Sequence, residues 1–333
     1  MNFENNLKGA DKYQISEPKC RICGNSKGNK IFTAKERQFG TLEEFNYFTC
    51  SSCGCIQILE FPKNPGKYYP ADYYAYDQPV FPTKLTGIIA YLKKSLLRYY
   101  IGYFNIPGFI LSLVYKHPFP WIRKKEINFN SRILDVGCGS GRKLLSLYRS
   151  GFRNLTGIDP YIEKDIIYPE GVIIRKMELS DMQGEFDFIM LHHSFEHMPD
   201  PKNVLYHINR LLAPEGSVLI RIPVADSASC KKYGEYWSGL DAPRHFFIHT
   251  RKSIEILAEN TGFFIDGLSY DSTRDQFVTS EKYLRGLPKN SPDSIFSRSE
   301  LKKFDREAEK LNKLMEGDWA CFYLKKKTDK KYE

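Results

Sequence analysis

No stretch of this sequence stays apolar long enough to cross a bilayer. A spanning helix needs about 18 uncharged apolar residues, and the nearest approach, residues 99–115, is broken by Gly102, Asn105, Pro107 and Gly108. The opening MNFENNLKGADK lacks the apolar centre of a secretory signal. These absences lead to the expectation of a cytoplasmic chain, able to work at the inner face of the membrane, whose eight cysteines stay reduced. Two nucleotide signatures are missing as well from the glycine-rich turn ILDVGCGSG at 133–141. The dinucleotide fingerprint wants a third glycine where Arg142 stands, and a P-loop wants Gly-Lys-Ser/Thr, which GCGSGRKL does not supply.

What is present is the composition of a water-soluble protein. The 333 residues are 42% hydrophobic and 27% charged, enough for about two domains with a proper core. Cys20 and Cys23 form one CxxC pair and Cys50 and Cys53 a second, each followed by a glycine, Gly24 or Gly54. A two-residue gap lets two thiolates grip one metal from a tight turn. Two such knuckles fill the tetrahedral shell of Zn2+ with sulfur, which makes the ion structural. A redox CxxC would open a helix in a βαβ setting, and no such setting surrounds these pairs. Cys55 is left as a spare. Residues 1–66 therefore resemble a zinc ribbon.

Residues 67–130 read as an aromatic, basic, helical linker. It opens on YYPADYYAY, and between Val80 and Asn130 eight cations face a single anion, Glu126, so that this stretch supplies most of the chain's net charge of +9. Leu85, Ile88, Ile89, Leu92 and Leu96 recur at helical spacing with Lys94 and Arg98 opposite. Such a helix either packs its apolar face on a catalytic core, the reading that amphipathic spacing favours, or lies on an anionic membrane surface or lipid-linked substrate.

From Ser131 to residue 327, strand-like and helix-like segments alternate with short turns. The pattern predicts an α/β fold, doubly wound, with a mostly parallel seven-stranded sheet. Insertions are expected at 225–250 and 275–317. In the first turn Asp135, Gly137, Gly139 and Gly141 form D-x-G-x-G-x-G, and Asp159 ends the next strand, where a carboxylate can take ribose hydroxyls. With FDFIMLHHSFEHMPDP and LAPEGSVLIRIP downstream, this domain resembles the class I S-adenosylmethionine-dependent methyltransferases. The resemblance implies that Asp135, Gly137, Gly139 and Gly141 hold the methionine and ribose portion and that Asp159 is the ribose acid. It also implies that Met177 and Glu178 flank the adenine, though they are not the usual Gly-Asp pair, and that His193 lies near the sulfonium.

HSFEH (His193, Glu196, His197) is also H-x-x-E-H, a catalytic zinc pattern. That chemistry needs both histidines on one helix, whereas here the first ends an apolar strand and MPDP breaks the chain after the second. The Asn/Asp-Pro-Pro-aromatic motif that would hold an exocyclic amine is absent, which counts against methylation of DNA base amines. The block YWSGLDAPRHFFIHT (236–250) is expected over the sheet's carboxyl edge, with His245 as base and Asp241 and Arg244 as its partners and substrate clamp; these residues could instead only pin the loop. His117, His207 and His249 are assigned to structure or surface. Ribbon, EH-x-x-DP turn and LD-x-PRH block together resemble bacterial methyltransferases of surface-polysaccharide and deoxysugar pathways. The implied reaction is O-methylation of a nucleotide- or lipid-linked saccharide. The alternatives are methylation of a sugar carbon, an RNA methyltransferase using the ribbon and the positive charge, and a non-catalytic zinc adaptor. Nucleic acid is the less favoured partner, because the charge sits among aliphatic and aromatic residues.

Overall fold

The computed structural model describes residues 17–69, 87–169 and 171–327. The N-terminal part contributes strands β1 (Lys30–Lys35), β2 (Glu44–Thr49) and β3 (Ile56–Ile58), then a helical hairpin of α1 (Gly87–Tyr100) and α2 (Ile106–Ser112). Alternation begins with β4 (Ile133–Val136), α3 (Arg142–Arg149), β5 (Leu155–Ile158), the two-residue β6 (Ile166–Ile167), β7 (Ile173–Arg175) and β8 (Phe186–His192). Next come α4 (Pro201–Leu211), β9 (Leu212–Pro223), α5 (Ala228–Tyr233), β10 (Phe247–Ile248) and α6 (Arg251–Asn260). The chain closes with β11 (Phe263–Tyr270), α7 (Asp275–Leu284), α8 (Arg298–Lys313) and β12 (Trp319–Lys326).

The main sheet runs β11-β12-β9-β8-β4-β5-β7-β6. Its centre, β9-β8-β4-β5-β7, is parallel, and β12 lies antiparallel to both neighbours. Every residue of β4 is buried, as a strand covered on both faces requires. Seven strands were expected and eight are present. The addition is β6, which folds back on β7 through the turn closed by Tyr168 N–H donating to Val172 O at 3.0 Å. Residues 213–216, expected as a turn, belong to β9, where the register against β8 jumps from Leu212 to Ser217. Chain order reverses at β4, which pairs β5 on one side and β8 on the other. Such a switch point opens a crevice at the carboxyl ends of these strands.

The ribbon is not a detached module. Its sheet runs β1-β2-β3-β10, with Phe247 opposite Gln57 and Ile248 opposite Ile56. The block 236–250 was expected over the carboxyl edge of the main sheet. Instead its last turn completes the ribbon, because Phe247 and Ile248 find their apolar partners there. One buried cluster contains Tyr47, Phe48 and Ile58 of the ribbon together with Leu191, Ile220 and Phe247. Tyr47 hydroxyl donates to His245 O at 2.9 Å, and Thr250 Oγ1 donates to Cys53 O at 2.6 Å.

Arg244 locks this junction. Its guanidinium, wholly buried, donates to Asp241 Oδ2 through Nε at 2.9 Å and to Glu36 Oε1 at 2.9 Å. Burial alone would raise the Asp241 carboxyl, but Arg244 holds it far below the usual range. Removing one member of a buried ion group strands the others. Arg244→Met should therefore cost about 3–5 kcal/mol in a urea titration; a loss below about 1 kcal/mol would be the yield of an exposed pair and would contradict this role.

The helical hairpin departs from expectation. Of the proposed apolar stripe, Leu85 lies outside the described residues, Ile88 and Ile89 are exposed, and Leu92 and Leu96 are half-buried. The buried positions are Ser95, Leu97 and Ile101, the last two packed with Trp121 and Ile122. The hairpin is anchored at that end, and among the described residues its apolar positions Ile88, Ile106, Ile110, Leu113 and Val114 stay exposed.

Candidate functional site

A cavity of about 470 Å³ opens at the switch point, within the range that holds a small cofactor. Asp135 to Ser140 form its floor, Asp159 and Tyr161 one wall, Met177 and Glu178 a second, and His193 and His197 the far side. Of the expected cofactor residues, Asp135, Gly137, Gly139, Asp159, Met177, Glu178 and His193 all line it.

Gly141 does not. It sits in left-handed conformation as the cap of α3, and a Cβ there would lie 2.4 Å from Ile174 Cδ1. Gly137 answers to packing too: at φ +71° its added Cβ would meet Ser194 Cβ at 2.6 Å. The loop is bare partly because neighbouring side chains crowd beneath it. Asp159 then fixes its height. Its Oδ2 accepts from Gly139 N–H at 2.8 Å and its Oδ1 from Tyr161 N–H at 2.9 Å. A carboxylate has about four lone-pair sites, so both oxygens can still accept ribose hydroxyls. Burial raises the Asp135 carboxyl to about 7, with Lys143 opposing.

The turn after β8 carries the polar chemistry. Phe195–His197 is a single 3-10 turn, so His193 and His197 do not share a helix face and the zinc-protease arrangement is absent there. His193, at φ +51°, accepts a hydrogen bond from Arg221 Nη1 on Nε2, and Asp271 holds Arg221 at 2.8 Å. An arginine only donates, so the His193 proton sits on Nδ1, 3.5 Å from Glu196 Oε1. His197 donates from Nδ1 to Arg244 O at 2.8 Å, with the Tyr69 hydroxyl 3.1 Å from the same nitrogen. A carbonyl only accepts, which leaves the lone pair on His197 Nε2.

His245, expected as the base, stands behind this wall. It does not line the cavity; its ring centroid is 4.8 Å from that of His197, and its Nδ1 donates to Gly239 O at 2.8 Å. Asp241 and Arg244 pair with each other, Arg244 also with Glu36, and neither lines the cavity. Tyr69, Tyr161, Asn203 and His207 line the cavity and were not anticipated. Tyr161 had a signal, lying two residues after Asp159. Tyr69 had none, since it arrives from the ribbon side.

Cys20, Cys23, Cys50 and Cys53 bring their sulfurs within 4.8 Å of one another. Cys20 and Cys53 lie 3.7 Å apart and Cys23 and Cys50 3.5 Å apart. A tetrahedral ion with bonds of about 2.3 Å needs sulfur separations of about 3.8 Å, so the cluster fits a metal ion. The N–H groups of Cys23 and Cys53 point at Cys20 Sγ and Cys50 Sγ, each at 3.5 Å, and Gly24 and Gly54 turn at φ +76° and +73°. Cys55 stays outside the cluster, buried beside His249.

Residues 116–266 match the family model described as a methyltransferase domain. Every lining residue named above except Tyr69 falls inside this matched segment. A ubiquinone biosynthesis O-methyltransferase of Pseudomonas aeruginosa (strain UCBPP-PA14) is 28% identical over 111 residues, covering 30% of this chain and 47% of the relative. The enzyme of the same name from Aeromonas salmonicida (strain A449) is 33% identical over 112 residues, with the same coverage. The chain thus spans about half the length of the curated relatives it matches. Among solved structures, the Burkholderia thailandensis 1,6-didemethyltoxoflavin-N1-methyltransferase is similar at 18% identity and a TM-score of 0.35, over 60% of this chain and 72% of that one.

Glu196 generates a pH prediction. It is fully buried, neither carboxylate oxygen has a hydrogen-bond partner, and burial raises it to about 8. In the unfolded chain a glutamate titrates near about 4.3. Between these values the unfolded state sheds a proton that the folded state keeps. Stability therefore falls as pH rises through the window, by up to about 1.4 kcal/mol per pH unit from this group. Urea titrations from pH 5 to 8 should show Glu196→Gln flattening the slope by about that amount; an unchanged slope would mean Glu196 is ionised in the fold.

Proposed function

We propose that the protein transfers the methyl group of S-adenosylmethionine to a hydroxyl of a lipid- or nucleotide-linked saccharide. The observation that carries an oxygen acceptor is His197. It lines the cavity with the glycine loop, its Nδ1–H is committed to Arg244 O so that the lone pair lies on Nε2, and burial keeps the imidazole low, at about 3, and so unprotonated in the assay range. S-adenosylmethionine supplies an electrophilic methyl carbon. Held over the loop of Asp135 to Gly139 and beside Asp159, it would offer that methyl to the acceptor oxygen and keep the carbon–sulfur electron pair, while His197 Nε2 would take the hydroxyl proton. A hydroxyl becomes strongly acidic as its new C–O bond forms, so a weak, aligned base suffices. Asp241, Arg244 and His245 then act as positioning residues, because Arg244 O sets the tautomer of His197 and the Asp241 pair fixes Arg244. Names of the curated relatives carry the same O-methyl chemistry. The saccharide class rests on the resemblance of the ribbon, the EHMPDP turn and the LD-x-PRH block.

Turnover assays with nucleotide sugars, lipid-linked oligosaccharides and ribosomal RNA test this reading. Methyl transfer to a saccharide hydroxyl is expected. His197→Ala should lower turnover on the order of a hundredfold or more with cofactor affinity unchanged, and His245→Ala should do less. Transfer to RNA alone, or near-native turnover of His197→Ala, would overturn it.

The cysteine cluster is proposed to hold one structural zinc per chain. Metal analysis should find it, and Cys20→Ser should lose it and lower the melting temperature; freshly purified protein without zinc would refute the assignment.

A further inference from the structure

The α1–α2 hairpin has a surface unlike the rest of the molecule. On α2 and the turn after it, Ile106, Ile110, Leu113 and Val114 are 66%, 57%, 71% and 78% exposed. Ile88 and Ile89 at the start of α1 are exposed as well. Soluble proteins rarely leave so much contiguous apolar area to water.

Its shape is nevertheless fixed. Leu97 and Ile101 bury one end. Asn105 caps α2 by accepting from Gly108 N–H at 2.8 Å and reaches across to donate to Ser95 O at 3.0 Å. Gly108 is required for the close approach, since a Cβ there would lie 2.2 Å from Ser95 O. The face is held open by packing.

Charge says what covers it. Residues 87–125 contain no Asp or Glu. Lys93, Lys94, Arg98, Lys116, Lys124 and Lys125 are all exposed. Tyr91 and Tyr115 of the same hairpin region are 59% and 58% exposed, and such amphipathic rings suit a headgroup layer. A second copy seated face to face would bring cation against cation. No helix among the described residues is long and apolar enough to cross a membrane, so the hairpin can only lie in the interface.

We propose that the α1–α2 hairpin docks the protein on an anionic phospholipid surface, with Ile106, Ile110, Leu113 and Val114 in the acyl boundary and the lysines on lipid phosphates. This inference is independent of the acceptor and of the methyl-transfer reading.

Flotation of the full chain with vesicles tests it. Binding is expected to phosphatidylglycerol–phosphatidylcholine vesicles, falling with salt, and much more weakly to phosphatidylcholine alone. The double variant Ile110→Glu with Leu113→Glu, at positions already exposed, should weaken binding by about tenfold or more while circular dichroism stays unchanged. Lys93→Glu with Lys116→Glu should weaken it by about tenfold or more. Failure to float with phosphatidylglycerol vesicles at low salt, equal binding to both vesicle types, or indifference to either double variant would overturn the proposal. So would light scattering that shows a dimer abolished by Ile110→Glu with Leu113→Glu and no vesicle binding.

Discussion

Arg244 meets every part of the molecule that matters to the site. Its side chain joins Glu36 of the ribbon to Asp241 of the loop before β10, and its guanidinium lies 5.0 Å from the Phe39 ring centroid. Nη1 donates to Tyr68 O at 3.3 Å, next to Tyr69 at the cavity wall. Its backbone oxygen accepts the hydrogen bond from His197 Nδ1–H. An ion group sealed from water tolerates little error in geometry, because any displaced partner is left charged and dry. Ribbon position and histidine tautomer are therefore set by the same residue.

That constraint explains what the ribbon does in a protein whose cavity lies on another sheet. The four cysteines cluster in a small domain too short on core to stand firmly alone. The pairing of β3 with β10 then makes that domain a buttress for residues 241–250. Through them it orients His197 toward the crevice at β4 and β8. The four-cysteine cluster lies on this buttress and does not line the cavity.

The features legible from the sequence were the local ones. Cysteine spacing gave the four-sulfur cluster, alternation of apolar runs gave the central parallel strands, and Asp135 to Gly139 with Asp159 marked the cavity. What escaped depends on contacts between distant segments. Glu36 and Arg244 are 208 positions apart, so nothing local tells that Arg244 is buried between two acids and not reaching for a ligand. His245 and His197 cannot be ranked without knowing which carbonyl takes which proton. The pattern from Ile88 to Leu96 shows that a helix has an apolar face, and is silent on what covers it. Gly141 matched a motif, yet Ile174 is what excludes a side chain there.

Calorimetric titration of the full chain with S-adenosylhomocysteine tests the central claim most directly, namely that the switch-point cavity is the cofactor site. The account predicts saturable binding at one site per chain, weakened in Asp159→Ala, with no heat from nicotinamide dinucleotides. Binding of a nicotinamide dinucleotide without binding of S-adenosylhomocysteine would contradict it.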